Sequence, residues 1–277
     1  MEKTLLNIKL LYDKMGKAEK KIADFLLKNP SDILPLSITE FAEKCGASEA
    51  TLVRFSRRLG LEGYQQLKIS IAQEENVYSL NENISEDDSA FEVFSKVCDD
   101  VYSSLEKTKK SIDKKALQAC CELLCNAENI YVFGLGNSSP VAQDIAHKLL
   151  RLGLRAYAYT DNHMQAIVAA HLTENDVAIG ISHSGSSKDV VQTLQLAKNN
   201  GAKTVAVTNI GKSPVDKVSD VILRTVSDET NYSILGLTSR IAQLAIIDAV
   251  YSYLVCHLPN ARKNIAKTES ALQPKKY

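Results

Sequence analysis

No charge of either sign prevails in this sequence: 33 lysines and arginines stand against 33 aspartates and glutamates. That excludes an overall basic field reaching for nucleic acid, so any such contact must come from a local patch. Long apolar runs are missing as well. No uninterrupted run approaches the roughly 18 to 20 residues of a membrane helix, which predicts a chain without a membrane segment. A secretory leader is not read either, because "MEKTLLNIKLLYDKMGK" is amphipathic and carries acids. Six cysteines in a chain of 277 residues without a leader then predict a reducing cytoplasm. Cys120, Cys121 and Cys125 have no zinc-like spacing and are read as buried helix cysteines. No metal and no cofactor are expected, and there are no repeats and no low-complexity tract.

What is present divides near residues 75 to 110. Hydrophobic residues make up 45% of the chain, ordinary for a soluble protein and enough for two domains. Up to about residue 75 the apolar spacing is helical throughout. Ile22, Phe25, Leu26 and Leu27 follow a helical repeat that Asn29-Pro30 stops. The polar stretch "ENVYSLNENISEDDSA" reads as a linker, followed by a connecting helix from about Ala90 to Lys110. After residue 127 the pattern changes. "NIYVFGLG", "RAYAYT", "DVAIGIS", "KTVAVTN" and "DVILRT" are β-rich runs, with helical stretches between most of them. That alternation predicts a parallel sheet with helices on both faces.

Two loops in this half carry chemistry. "DVAIGIS" ends a strand at Ser182, His183-Ser184-Gly185-Ser186-Ser187 makes a tight loop, and "KDVVQTLQLAKNNG" continues as a helix. A helix start leaves backbone N–H groups unpaired and carries positive partial charge, so small hydroxyl residues before it suit a phosphate. Gly185 lets the backbone bend toward such a ligand. Ser186 or Ser187 could instead only cap the helix. The earlier loop "GLGNSS" departs from the dinucleotide fingerprint, since Ser139 stands at the third glycine position. Asn137, Ser138 and Ser139 suit a compact polyhydroxy ligand better than a pyrophosphate.

These residues resemble a family. "SHSGSSKD" looks like the phosphosugar motif of the SIS (sugar isomerase) domain, and "GLGNSS" is similar to that domain's first loop. The resemblance covers roughly residues 115 to 258. It implies that Ser182, Ser184 and Ser187 bind a phosphosugar's phosphate, with Asn137 and Ser138 nearby. Position 187 is serine where threonine is commoner, which keeps the hydroxyl.

The N-terminal half is read independently. In "SITEFAEKCGASEATLVRFSRRLGLEGYQQLK", Ser37 and Glu40 are spaced as a capping box, Gly46 fits a turn, and Ser48 can cap a second helix. Leu52, Phe55, Ser56 and Leu59 share one face of that helix. Ala50, Thr51, Arg54, Arg57 and Arg58 share the other. Small residues first and arginines after suit a major groove, with Lys44 and Lys68 placed for phosphate contacts. This segment resembles the helix-turn-helix of the RpiR family of bacterial transcriptional regulators, which joins that module to a SIS domain in this order and at about this length.

The expected architecture is an all-α helix-turn-helix domain (1–75), a linker and connecting helix (76–111), and a three-layer α/β SIS domain with a parallel sheet (112–277). The expected function is a cytoplasmic regulator whose binding to a palindromic operator in double-stranded DNA responds to a phosphorylated sugar. The second reading is a phosphosugar isomerase or lyase, whose base would come from Glu229, His163, His171 or His257. Of these, Glu229 could equally contact sugar hydroxyls, and His163 and His171 are expected on one helix. In "LGLTSRIAQLAIIDAVYSYLVCHL", Leu237, Ile241, Leu244, Ile247, Val250, Tyr251 and Leu254 form a stripe widened by Ile246, Ala249 and Tyr253. Such excess apolar surface predicts an interface, and SIS domains generally pair, so a homodimer at least is expected.

Overall fold

The computed structural model of the chain describes residues 4–74, 84–227 and 237–275. They form two compact units, one of the residues up to 98 together with 211–214, the other of residues 99–210, 215–227 and those from 237 onward.

The first unit is helical: α1 (Thr4–Leu11), α2 (Lys17–Lys28), α3 (Ile38–Cys45), α4 (Glu49–Arg58) and α5 (Tyr64–Glu74). The helices begin and end where local chemistry dictates. Ser37 Oγ accepts from Glu40 N while Glu40 Oε2 accepts from Ser37 N, a closed capping box at the start of α3. Gly46 ends α3 at φ +57, a left-handed conformation that a side chain would strain. The apolar faces of all five helices then meet in one core, with Ile8, Ile22, Leu26, Phe41, Leu52, Phe55, Leu67 and Ile71 fully buried. Phe41 is its centre: Phe25 meets it edge-on at 5.2 Å and Tyr64 stacks on it at 5.9 Å.

The second unit holds a five-stranded, all-parallel sheet in the order β2-β1-β3-β4-β5. Its strands are β1 (Asn129–Gly134), β2 (Ala156–Tyr159), β3 (Asp176–Ile181), β4 (Lys203–Asn209) and β5 (Val221–Thr225). β3 is buried along its whole length, as a central strand covered on both faces must be. Alternate residues divide between two cores. Ile130, Val132, Val177, Ile179, Val205 and Val207 pack toward α7 (Lys114–Asn126), α8 (Ser139–Arg151) and α11 (Leu237–His257). Phe133, Ala178 and Ala206 pack toward α9 (Asn162–Ala169) and α10 (Lys188–Asn199). The result is the three-layer arrangement the alternation predicts. The connecting helix α6 (Ala90–Ser111) is anchored in this unit through Ser104 and Thr108, whose hydroxyls donate to Val226 O at 2.7 and 3.4 Å. α12 (Ala261–Leu272) follows α11.

One expectation about helices changes, and another is only partly met. α9 ends at Ala169, so His163 and His171 do not share a helix. The apolar stripe of α11 is largely occupied by its own domain: Ile246, Ile247, Val250 and Leu254 are buried in the core, and Tyr251 and Tyr253 are half-buried against it. Ile241, 40% exposed, and Ala249 of the same stripe remain at the surface. Thr238–His257 is also long and apolar enough to cross a membrane, with a mean hydropathy of 1.2, and Ile246, Ile247, Val250 and Leu254 on it pack into the core of its own domain. Cys120 and Cys121 are buried as expected while Cys125 is only half-buried, and burial pushes the thiols of Cys120 and Cys121 up to about 12 and about 11.

Candidate functional site

The strand order places the two serine-bearing loops side by side. β1 and β3 are neighbours, with Gly134 paired to Ile181. From these ends the chain leaves toward opposite faces, α8 on one and α10 on the other. In a doubly wound sheet a crevice opens where the order reverses, and the 2-1-3-4-5 order puts it at β1 and β3.

Each loop is shaped by a glycine in a left-handed conformation, Gly136 at φ +54 and Gly185 at φ +60. Gly134 is required for a different reason. A Cβ there would lie 2.7 Å from Ser138 O, so the first loop can fold back on its strand only over a glycine. In the second loop Ser182 is buried, and its hydroxyl donates to Ser187 Oγ at 3.1 Å. Ser187 occupies the N-cap of α10, yet its side chain makes no capping bond. The simple capping role open to it in the sequence is therefore not the one it takes. Its hydroxyl meets Ser182 across the loop, beside the first-turn N–H groups of α10. Gly185 N donates to Ser182 O at 3.1 Å and Ser186 N to Ser184 Oγ at 3.2 Å. The carbonyl of His183 is held by Asn209 N at 3.0 Å and Thr208 Oγ1 at 3.3 Å, pinning the loop to the end of β4.

In the first loop Asn137 is exposed, and Ser138 and Ser139 are half-buried. Ser138 stands at the N-cap of α8 without a side-chain cap, and Ser139 Oγ donates back to Gly134 O at 3.3 Å. A residue the sequence reading missed supports this turn. Gln165 of α9 is fully buried, and its Nε2 donates to Tyr159 O at 2.8 Å and to Gly134 O at 3.4 Å. It ties the ends of β1 and β2 together. A lone glutamine in "HMQAIVAA" carries no local signal of that role. Glu229 lies outside the described residues. His163 and His171 are exposed, while His257 stacks on Tyr253 at 3.7 Å with its Nδ1 2.8 Å from Tyr253 O.

The candidate DNA-reading surface is the outer face of α4. Ser48 caps the helix, its Oγ accepting from Thr51 N at 3.2 Å. Leu52, Phe55, Ser56 and Leu59 face the core; Ala50, Arg54 and Arg57 are exposed. Three residues stand differently from the sequence expectation. Thr51 is only 9% exposed; its hydroxyl lies 2.8 Å from Ser48 Oγ and accepts from Arg54 Nη2 at 3.1 Å. It sits beneath the arginine and orients it. Arg58 is exposed but engaged, with Nη1 2.8 Å from Glu19 Oε2 and Nη2 2.6 Å from Lys14 O. Lys68 is 2% exposed, its Nζ donating to Leu36 O at 2.8 Å above the Tyr64 ring. Burial lowers it to about 7, against the opposing pull of Glu40. Lys68 is thus a structural tie between α5 and the segment before α3, and does not reach a DNA backbone. Lys44 is exposed over the Phe25 ring and keeps its place at the surface.

Comparison with known proteins fits both halves of this geometry. The family model for the helix-turn-helix domain, rpiR family, matches residues 2–76, and that for the SIS domain matches residues 123–253. An HTH-type transcriptional regulator of Caldanaerobacter subterraneus subsp. tengcongensis is 36% identical over 84% of this chain and 84% of its own. One from Haemophilus influenzae is 36% identical over 88% of this chain and 87% of its own. Among solved structures, the Vibrio vulnificus NanR protein complexed with ManNAc-6P superposes with a TM-score of 0.85 at 26% identity, covering 99% of this chain and all of that one.

Proposed function

Because the chain belongs to the rpiR family of helix-turn-helix transcriptional regulators carrying a SIS domain, we propose that its affinity for operator DNA is set by a phosphorylated sugar held between the β1 and β3 loops. The observation that carries this is the uncapped start of α10. Ser187 turns away from the capping bond toward Ser182, leaving backbone donors and two hydroxyls beside one crevice. Phosphate brings roughly −1.5 to −2 charges to such a helix end, where they are stabilised by the unpaired N–H groups and the helix dipole. Ser182, Ser184 and Ser187 would take the phosphate, with His183 and Gly185 shaping the loop. Asn137, Ser138 and Ser139 would meet the sugar hydroxyls, and Glu229 is the candidate to join them. The NanR complex supports a sugar phosphate as the ligand class.

On this reading the protein is a regulator rather than an isomerase, and works as a homodimer that presents two α4 helices to a palindromic site. The family relatives named as regulators support that choice. Ala50 and Arg54 would reach base edges, while Lys44, Ser48, Arg57 and Arg58 would meet the backbone. Arg58 would do so only after leaving Glu19. The test is calorimetry and operator titration over a panel of sugar phosphates. One of them should bind and change operator affinity, its unphosphorylated form should bind far more weakly, and Ser182→Ala or Ser187→Ala should each cost about 1 to 3 kcal/mol of binding. Turnover of the bound sugar would return the protein to the isomerase reading, and unchanged affinity in the double variant would remove this loop from the site.

A further inference from the structure

The largest exposed aromatic side chains of the described residues lie together on α6. Phe91 is 76% exposed, Phe94 63% and Tyr102 69%. Cys98 is exposed as well, and Leu105 is half-buried. Their spacing is three, four, four and three residues. At about 100° per residue these five side chains fall within about 40° on either side of Cys98, a narrow seam like that of a coiled coil. The buried residues of the helix, Ser104 and Thr108, lie to one side of it. Among the described residues, no element covers this seam on a 22-residue helix.

The order of residues along the seam says what covers it. Counting outward from Cys98, Phe94 and Tyr102 stand four residues away on either side, and Phe91 and Leu105 seven. The seam is therefore its own mirror along the helix. The two ends also differ in charge: Glu86, Asp87 and Asp88 just before α6 and Glu92 in its first turn make the amino end acidic, while Lys107, Lys109 and Lys110 outweigh Glu106 at the carboxyl end. Asp87 and Lys109 are each eleven residues from Cys98. A parallel pair of these helices would set acid on acid and base on base. An antiparallel pair sets Phe91 on Leu105, Phe94 on Tyr102, and each acidic end beside the partner's basic end, related by one two-fold axis.

We propose that a second copy of this chain covers the α6 seam, with the two helices antiparallel and crossing at Cys98. This locates the homodimer interface named above on α6 rather than on α11, and is independent of the sugar. The two thiols of Cys98 would then face each other across the axis.

The experiment uses the full-length protein with Cys256, another exposed cysteine, changed to serine. A short bis-maleimide should convert the dimer to a covalent one on a denaturing gel, and Cys98→Ser should abolish the product. Phe94→Glu should slow the reaction at least tenfold. Adding Tyr102→Lys should restore it, because only an antiparallel pair brings positions 94 and 102 together. Phe94 and Tyr102 are exposed, so the variants should fold, which circular dichroism checks. A protein that sediments as a dimer yet gives no Cys98-dependent product overturns the α6 interface while the homodimer stands. A monomer at tens of micromolar overturns both. Loss in the single variant without rescue in the double overturns the antiparallel arrangement.

Discussion

Lys68 and Arg54 both looked like DNA-facing cations, and the fold treats them oppositely. Arg54 stands clear of the surface, oriented from below by Thr51, whereas Lys68 is closed over by its own domain. The consequence for Lys68 is measurable. Its side chain titrates near 7 when folded instead of at 10.5. Between those values the unfolded chain binds a proton that the folded chain does not, so this residue makes stability rise with pH across that window. Against a Lys68→Met variant, the wild type should gain on going from pH 7 to pH 10, with a slope of at most about 1.4 kcal/mol per pH unit. Urea melts at three pH values check it; a flat difference would mean that Lys68 keeps its charge. The same variant should leave the salt dependence of DNA binding unchanged, while Lys44→Ala should reduce its slope by roughly one.

α4 performs two tasks with separate residues, one at its start and one along its face. Ser48 holds the first turn, so Ser48→Ala should lower unfolding stability by about 1 kcal/mol, within the usual cost of losing such a cap. Arg54 belongs to the face, so Arg54→Ala should leave stability nearly unchanged and cost more on a specific operator than on random DNA. Titrations at several salt concentrations separate the two; equal losses on both DNAs would make Arg54 a backbone contact. Arg58 falls between these roles, because its ion pair with Glu19 must be exchanged for any phosphate it meets. Such an exposed pair is worth only about 0.2 to 1 kcal/mol, so the exchange is cheap.

At the scale of the whole molecule the two proposed ligands must be linked by a free energy. If a sugar phosphate changes operator affinity by some factor, operator DNA must change sugar affinity by the same factor. Couplings of this sort are typically about 1 to 3 kcal/mol. Calorimetric titration of the sugar with and without operator should therefore return the factor seen in DNA titrations with and without sugar. Unequal factors would show that a third process, such as dissociation of the dimer, has been left out.

Much of this was legible in the linear chain. The change from helical spacing to alternating β-rich runs marks the two architectures, because side-chain direction repeats every 3.6 residues in one element and every two in the other. Ser37 with Glu40, Gly46, Ser48 and Gly185 announce their own turns, since capping and left-handed backbone are matters of a few adjacent atoms. The serine loops could be placed at strand ends for the same reason. What a residue touches across a hundred positions is not written locally. The pattern of α5 does not say that Lys68 would be sealed under Leu36, nor that of α11 which part of its broad apolar stripe its own domain would cover. Gln165 reaches Gly134 across 31 residues, a contact no periodicity encodes. Amphipathic spacing states which face of an element avoids water; only the packed structure decides which neighbour covers that face, and on α6 leaves one uncovered.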